Sequence, residues 1–289
     1  MSSFNVTLKP ALVELALKPG ETITQAFEIT NNSDSTLVMT TSVLPWIPNG
    51  SDGSVTYDNA VPNSDIQFSL GNADIALGQS ISIKPKESQQ IVLKITSDSS
   101  QPVSDSYYTF FVDQDLSNSL TNDSNSTSAS ARVGSHLLLS SSSAKNFTSN
   151  LSISKFTTSP QFKDSLFSKI NISALITNNS GSYNKTQGKL TISKNNLTIK
   201  EFTLFPNNVL ARNSRWISCL SEETSVPCTL NPPLWPGVYS ATITLDPSIS
   251  DSTASTTFFV FPYSALIGVL ALFLLFRRLF RRQTRQITT

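Results

Sequence analysis

The sequence predicts an all-β chain of two sandwich domains followed by one helix that crosses a membrane near the C-terminus. Three observations predict it. The 289 residues carry little charge, 14% in all, and are rich in Ser, Thr and Asn, which suit the solvent faces of sheets and the turns between strands. Apolar residues recur with a period of two, between turn clusters such as KPGE, NNSD, NGSDG and KPKES, and no long stretch of the body keeps a helical stripe. One apolar run, FFVFPYSALIGVLALFLLF, is followed at once by arginines.

The first domain is expected over residues 5–143. ITQAFEIT puts Phe27 and Ile29 on one face, and IVLKIT turns Ile91, Leu93 and Ile95 inward. SYYTFFV and RVGSHLLLS read as apolar strands joined by a polar, low-complexity loop over 116–131. The small polar residues of SSSSAKNFTSN supply a linker at 144–150. A second domain follows over 151–261, where INISALIT aligns Ile170, Ile172, Ala174 and Ile176. YSATITL sets Tyr239, Ala241, Ile243 and Leu245 against Ser240, Thr242 and Thr244. Short alternating strands in blocks of roughly 100 residues are the pattern of a sandwich.

The C-terminal run divides at Pro262. STTFFVF before it is strand-like, and residues 258–261 complete the second sandwich until Pro262, which cannot donate to a ladder, ends the strand. From Tyr263 to Phe276 the apolar helix is about 21 Å long against a hydrocarbon core of about 30 Å. Extension to residue 280 gives about 27 Å, with Arg277 and Arg278 reaching the inner headgroups. A membrane helix is therefore expected over 263–280 and a basic tail over 281–289. Arg277, Arg278, Arg281, Arg282 and Arg285, with no acid among them, mark the cytoplasmic side. The expectation is a single-pass protein of the cell membrane, its domains extracellular and seated on the bilayer without a stalk. The opening MSSFNVTLKPALVEL lacks the basic and apolar regions of a signal peptide, so this placement expects an export signal outside these residues. Entry by the C-terminal segment alone would give the opposite sidedness.

Little in the chain suggests chemistry. Without the five tail arginines, 16 basic residues face 20 acids, a net of about −4, which gives no footprint for nucleic acid. Neither GxGxxG nor GxxxxGK[ST] occurs, and no cofactor is expected. His136 is the one imidazole and would have to serve any Ser-His-Asp triad; in ARVGSHLLLS it reads as structural or surface. Glu222 and Glu223 read as solvated, and no catalytic residue is expected. Cys219 and Cys228 lie in RWISCLSEETSVPCTLNPP, where a zinc site would need two more ligands, so no metal is expected. In an exported chain the pair reads as a disulfide closing a small loop, with two free thiols as the alternative. Trp46, Trp216 and Trp235 read as packing, with exposed anchoring of a carbohydrate or protein partner as the alternative. The eleven N-x-[ST] sequons exceed the roughly six due to chance too little to imply glycosylation.

LALKPGETITQAFEITNNSDSTLVMTTSV and ISIKPKESQQIVLKI resemble the first domain of the Ig-like PapD/major-sperm-protein type, in the form found in bacterial WxL-interacting cell-surface proteins. There a PGE turn opens a strand that ends in TNNSD, and P-x-ES opens a second; here Pro19-Gly20 and Pro85-Lys86-Glu87 supply these turns. ITNNSGSYNKTQGKLTI, FPNNVLARNSRWI and LWPGVYSATITL are similar to the second sandwich of such proteins, which also end in one span and a basic tail. The loop at 116–131 departs from that pattern. The resemblance implies two Ig-like β-sandwich domains on a membrane anchor. It also implies an extracellular binding or scaffolding protein, not an enzyme, that contacts a cell-wall polymer or another surface protein. One alternative is a PapD-like assembly chaperone for exported subunits, with Lys9 and Lys18 as the cations available for a subunit's carboxylate. The other is a tail-anchored adaptor of the major-sperm-protein type, which the second domain, the cysteine pair and the arginine tail disfavour.

Overall fold

The computed structural model describes residues 4–57, 65–72, 74–98, 105–114, 131–141, 150–160, 163–232, 234–248 and 250–286, the last eight as helical backbone only. The loop expected over 116–131, the linker at 144–150, and the side chains of Arg281, Arg282 and Arg285 lie largely or wholly outside that description. The chain divides into two compact units, Met1–Phe147 with Gly181–Tyr183, and Thr148–Ser180 with Asn184–Thr289.

Among the described residues, unit 1 holds ten strands: β1 (Val6–Lys9), β2 (Leu12–Leu17), β3 (Thr22–Asn31), β4 (Leu37–Asn49), β5 (Ser54–Tyr57), β6 (Ile66–Leu70), β7 (Ile81–Ile83), β8 (Ser88–Ser97), β9 (Ser106–Gln114) and β10 (Arg132–Ser141). One sheet has the order β1-β3-β8-β6; the other has β2-β10-β9-β4-β5, with β7 added to β4. The period-two alternation buries Phe27 and Ile29 of β3 beside Ile91, Leu93 and Ile95 of β8. From the other sheet Phe110, Val112, Leu137 and Leu139 close the core, and Phe27 stacks on Phe110 at 4.7 Å. Burial of each such side chain contributes about 1.5–3 kcal/mol.

β3 ends on Asn31, which is fully buried. Its Nδ2 lies 2.9 Å from Ser35 O, 3.0 Å from Ile83 O and 3.1 Å from Lys84 O. Its Oδ1 accepts the N–H of Ser33 at 2.9 Å and the Ser33 hydroxyl at 2.6 Å. The amide thus ties the end of the strand and its turn to β7 and satisfies the buried Ile83 carbonyl.

Unit 2 holds β11 (Leu151–Ser159), β12 (Lys163–Asp164), β13 (Ile170–Asn178), β14 (Asn184–Lys185), β15 (Gly188–Lys194), β16 (Leu197–Thr203), β17 (Asn208–Val209), β18 (Ser214–Trp216), β19 (Cys219–Ser221), β20 (Thr224–Val226), β21 (Thr229–Leu230), β22 (Gly237–Leu245), β23 (Thr253–Phe261) and helix α1 (Tyr263–Gln286). Its main sheets are β11-β13-β18, with β21 beside β13, and β12-β23-β22-β15-β16. Ile170, Ile172, Ala174 and Ile176 face Tyr239, Ala241, Ile243 and Leu245 across the core. β13 ends in the same five residues as β3, ITNNS, and the geometry repeats: buried Asn178 accepts from Ser180 N at 2.9 Å and Ser180 Oγ at 2.6 Å, and donates to Val209 O at 2.9 Å. Gly188 has φ +152, and a Cβ there would stand 2.3 Å from Thr244 O, so the close approach of β22 requires glycine. A disulfide joins Cys219 to Cys228, and both sulfurs belong to the core cluster.

α1 starts directly after Pro262, which ends β23. Leu266, Ile267, Val269, Leu270, Leu272 and Phe273 are all exposed, so apolar side chains project from every side of the helix. Among the described residues no helix is long and apolar enough to cross a membrane, which corrects the spanning helix expected over 263–280. The uncharged run stops at Arg277 after about 21 Å, short of a hydrocarbon core of about 30 Å.

Candidate functional site

In unit 1 the feature that stands out is a half-covered strand. β10 pairs with β9 from Arg132 to Leu139, but on its other side β2 covers it only from His136 to Ser141. The covering starts where His136 N donates to Ala11 O at 3.0 Å. Strand residues alternate the side to which their N–H and C=O point, so Arg132 and Gly134 direct theirs the same way as His136, where no described strand faces them. Residues 132–135 therefore present an open sheet edge at the end of a covered one. Val133 packs into the core beneath it. Arg132 makes a salt bridge to Asp113 and lays its guanidinium 4.3 Å above the Phe111 ring. Gly134 suits this place, because a Cβ would meet Thr109 Cγ2 at 2.6 Å and the Phe111 ring at 2.8 Å.

The outer face of the same sheet carries an aromatic patch. Trp46 stacks on Tyr107 at 5.1 Å, meets His136 edge-on at 5.3 Å and donates Nε1–H to Tyr108 O at 2.8 Å. His136 Nδ1 lies 2.8 Å from the Thr109 hydroxyl, and burial lowers its pKa, which keeps the ring neutral at pH 7. It is a packed side chain with a hydroxyl partner rather than the carboxylate partner of a triad.

The structure separates the two lysines considered for a carboxylate. Lys9 ends β1, three residues before Leu12, which lies opposite His136 where the cover of β10 begins. It borders a cavity of about 480 Å³ with Pro10, Phe27, Glu28 and Gln90. Lys18 follows β2 at its far end, with its backbone N–H bound to Glu21 at 2.8 Å.

Unit 2 has a second feature at the root of α1. β12 runs parallel to β23, with Lys163 opposite Val260 and Asp164 opposite Phe261, so Leu166 and Phe167 lie beyond the strand ends on the side where α1 leaves. β22 begins with Gly237 opposite Val260, which puts Trp235 at the same pole. Asp164, 2% exposed, accepts from Leu166 N at 2.8 Å and Phe167 N at 3.2 Å through Oδ1, and from Ser264 N at 2.9 Å through Oδ2. Burial alone would raise its pKa; the N–H donors of Ser264, Leu166 and Phe167 outweigh that and lower it. Beside it a cavity of about 1000 Å³ opens between β11 and β23, lined by Phe156, Lys163, Phe258, Phe261 and Tyr263. Burial lowers the pKa of Lys163, whose ammonium sits 5.3 Å from the centre of the Phe258 ring.

Of the residues singled out from sequence, Cys219 and Cys228 are joined, Trp46 is packed, Trp216 is half-buried in β18, and Trp235 is 82% exposed. Glu222 and Glu223 form the solvated turn between β19 and β20. Arg277 and Arg278 lie on α1, about four turns beyond its apolar start. Among the described residues no group of three His, Cys, Asp or Glu side chains could hold a metal. The open half of β10 and the Asp164 clamp were not read from sequence. Only the parity of RVGSHLLLS hinted at the first, and nothing local marks the second.

No family model matches the sequence, and no curated protein does. Solved structures that it is similar to include the class 5 fimbriae chaperone CfaA, 12% identical over 89% of this chain and 100% of that one with a TM-score of 0.40. The E. coli chaperone DraB is 11% identical over 89% and 97% of the two chains, with a TM-score of 0.39. A PapD-like domain of human CEP192 is 14% identical over 48% and 86%, with a TM-score of 0.30. Likeness this remote assigns no family, role or partner. Nothing in it points to the WxL-interacting surface proteins.

Proposed function

We propose that this protein binds another protein by accepting one of its strands at the open half of β10, with the carboxylate of the incoming segment near Lys9. The observation that carries this is the edge itself, residues 132–135, whose outward N–H and C=O groups can be satisfied by a partner strand. Gly134 and the Arg132–Phe111 stack leave a flat outer face there, and Val133 already contributes to the core. A chaperone-like, subunit-binding role uses this edge more directly than wall scaffolding does. Lys9 serves it better than Lys18, which stands a full strand away.

The protein works at the outer face of a membrane, with α1 entering the bilayer from that side. α1 supports this reading because its exposed apolar residues need a non-aqueous surround and five arginines follow them.

The test is photo-crosslinking in the producing cells, with a photoreactive residue at Arg132 or, as a control, at Gln67 on the edge strand of the other sheet. A discrete adduct from position 132, lost in Lys9→Glu and absent from position 67, is expected. Equal adducts from both positions, or none from 132, would refute the reading.

A further inference from the structure

We propose that the pole of unit 2 around the root of α1 is a lipid-binding collar that sits in the outer leaflet and completes an attachment that α1 alone is too short to make. This rests on the membrane placement proposed above. It goes further by assigning the contact to named side chains of the sandwich.

Four observations converge. Beyond the strand ends, on the side where α1 leaves, Phe167 is 73% and Trp235 is 82% exposed. Leu166, Phe261 and Tyr263 are exposed beside them, and Phe259 stacks on Phe261 at 6.0 Å. This apolar surface is continuous with that of α1 and has the Trp, Tyr and Phe character of a membrane interface.

Second, the collar is held in place. One buried carboxylate, Asp164, binds the N–H groups of Leu166 and Phe167 and that of Ser264 in the first turn of α1. Ser165 adds two backbone bonds, donating to Phe261 O at 3.2 Å and accepting from Leu234 N at 2.7 Å beside Trp235. The aromatic side chains and the helix root therefore enter the same layer together.

Third, the lengths agree. The uncharged run of α1 falls about 9 Å short of a typical hydrocarbon core. A collar immersed to the depth of a Trp or Phe side chain supplies most of that on the outer side.

Fourth, the described charges at the pole suit phospholipid. The Asp164 carboxylate is buried, whereas Lys194 places its ammonium 2.8 Å from Pro236 O beside Trp235, where a lipid phosphate can reach it. The occupant is thus a phospholipid leaflet rather than a second protein.

The test uses the full chain in phosphatidylcholine/phosphatidylglycerol vesicles whose acyl chains carry bromine near the headgroup. Quenching of tryptophan emission that disappears in Trp235→Phe is expected. Phe167→Ser with Trp235→Ser should raise the fraction released by alkaline carbonate about tenfold. Leu220→Ser with Ile47→Ser, which removes one exposed apolar residue beside the Cys219–Leu204 bridge at the opposite end of the unit 2 sheet and one from β4 of unit 1, should leave it unchanged. Carbonate-resistant protein with no Trp235 quenching would overturn the collar and leave the membrane placement standing. Protein that is washed off and unquenched would overturn both. Equal release by the two double variants would show general stickiness and overturn the collar.

Discussion

Replacing Asn31 by Ala should unfold unit 1 early and leave unit 2 untouched. The Asn31 amide is fully buried, and its two hydrogens serve carbonyls of Ser35, Ile83 and Lys84 at 2.9–3.1 Å. Alanine strips at least two of these of a donor, and each orphaned group costs about 1–3 kcal/mol. The Ser33 contacts to Oδ1 are lost as well. A loss of about 3 kcal/mol, with a urea slope of about 2 kcal/mol per M, moves the midpoint of unit 1 down by about 1.5 M. Asn31→Asp should cost at least as much, because it turns a carboxylate oxygen toward carbonyls. The assay is urea unfolding of the full chain in detergent. Emission of Trp46 reports unit 1, and emission of Trp216 and Trp235 reports unit 2. Asn178→Ala should give the mirror image, shifting the second transition alone. A shift below about 0.5 kcal/mol for Asn31→Ala would refute the assignment, since no orphaned buried carbonyl costs so little. Loss of both transitions together in either variant would refute the independence of the two anchors.

Other outcomes follow from single contacts. Removing the Cys219–Cys228 bridge as a double Ala variant should cost unit 2 about 2.5 kcal/mol from loop entropy alone, seen as a lower midpoint with no change in unit 1. The lowered pKa of Asp164 means its contribution to stability is complete above the unfolded pKa of about 3.9 and is lost as pH falls through the folded value. Acid should therefore loosen the helix root, read as faster amide exchange of Ser264 and Phe167, and Asp164→Asn should abolish that pH dependence. Burial lowers the pKa of His136 too, so unit 1 should weaken as pH drops below about 6.5, and His136→Gln should remove that slope in a thermal melt. Trp46→Phe leaves the Tyr108 carbonyl without its indole donor and should cost unit 1 about 1–3 kcal/mol in the urea assay.

The alternating strands were legible because each has one wet and one dry face: Phe27 and Ile29, or Ile170 through Ile176, announce burial by parity alone. The same parity marked what was missed. Asn31 continues the inward series of Phe27 and Ile29, and Asn178 continues that of Ala174 and Ile176, yet NNSD read as a turn because Asn is a turn residue, and Asn178 was not singled out. Trp235 read as packing, since a Trp beside a strand start usually is; only the fold shows that it lies past the last paired residue. The Asp164–Ser264 bond joins residues 100 positions apart, through a strand of two residues too short to show a pattern. The open half of β10 depends on where β2 starts, a register set by pairing and not by composition.

Strand acceptance at β10 is tested most directly by amide exchange at Arg132 and Gly134 in the protein isolated with its crosslinked partner. Protection of these two amides by at least about tenfold over the free protein, with the paired amide of Val133 unchanged, is the result expected of an added strand. Unaltered exchange at both positions, with protection appearing on another surface, would contradict it.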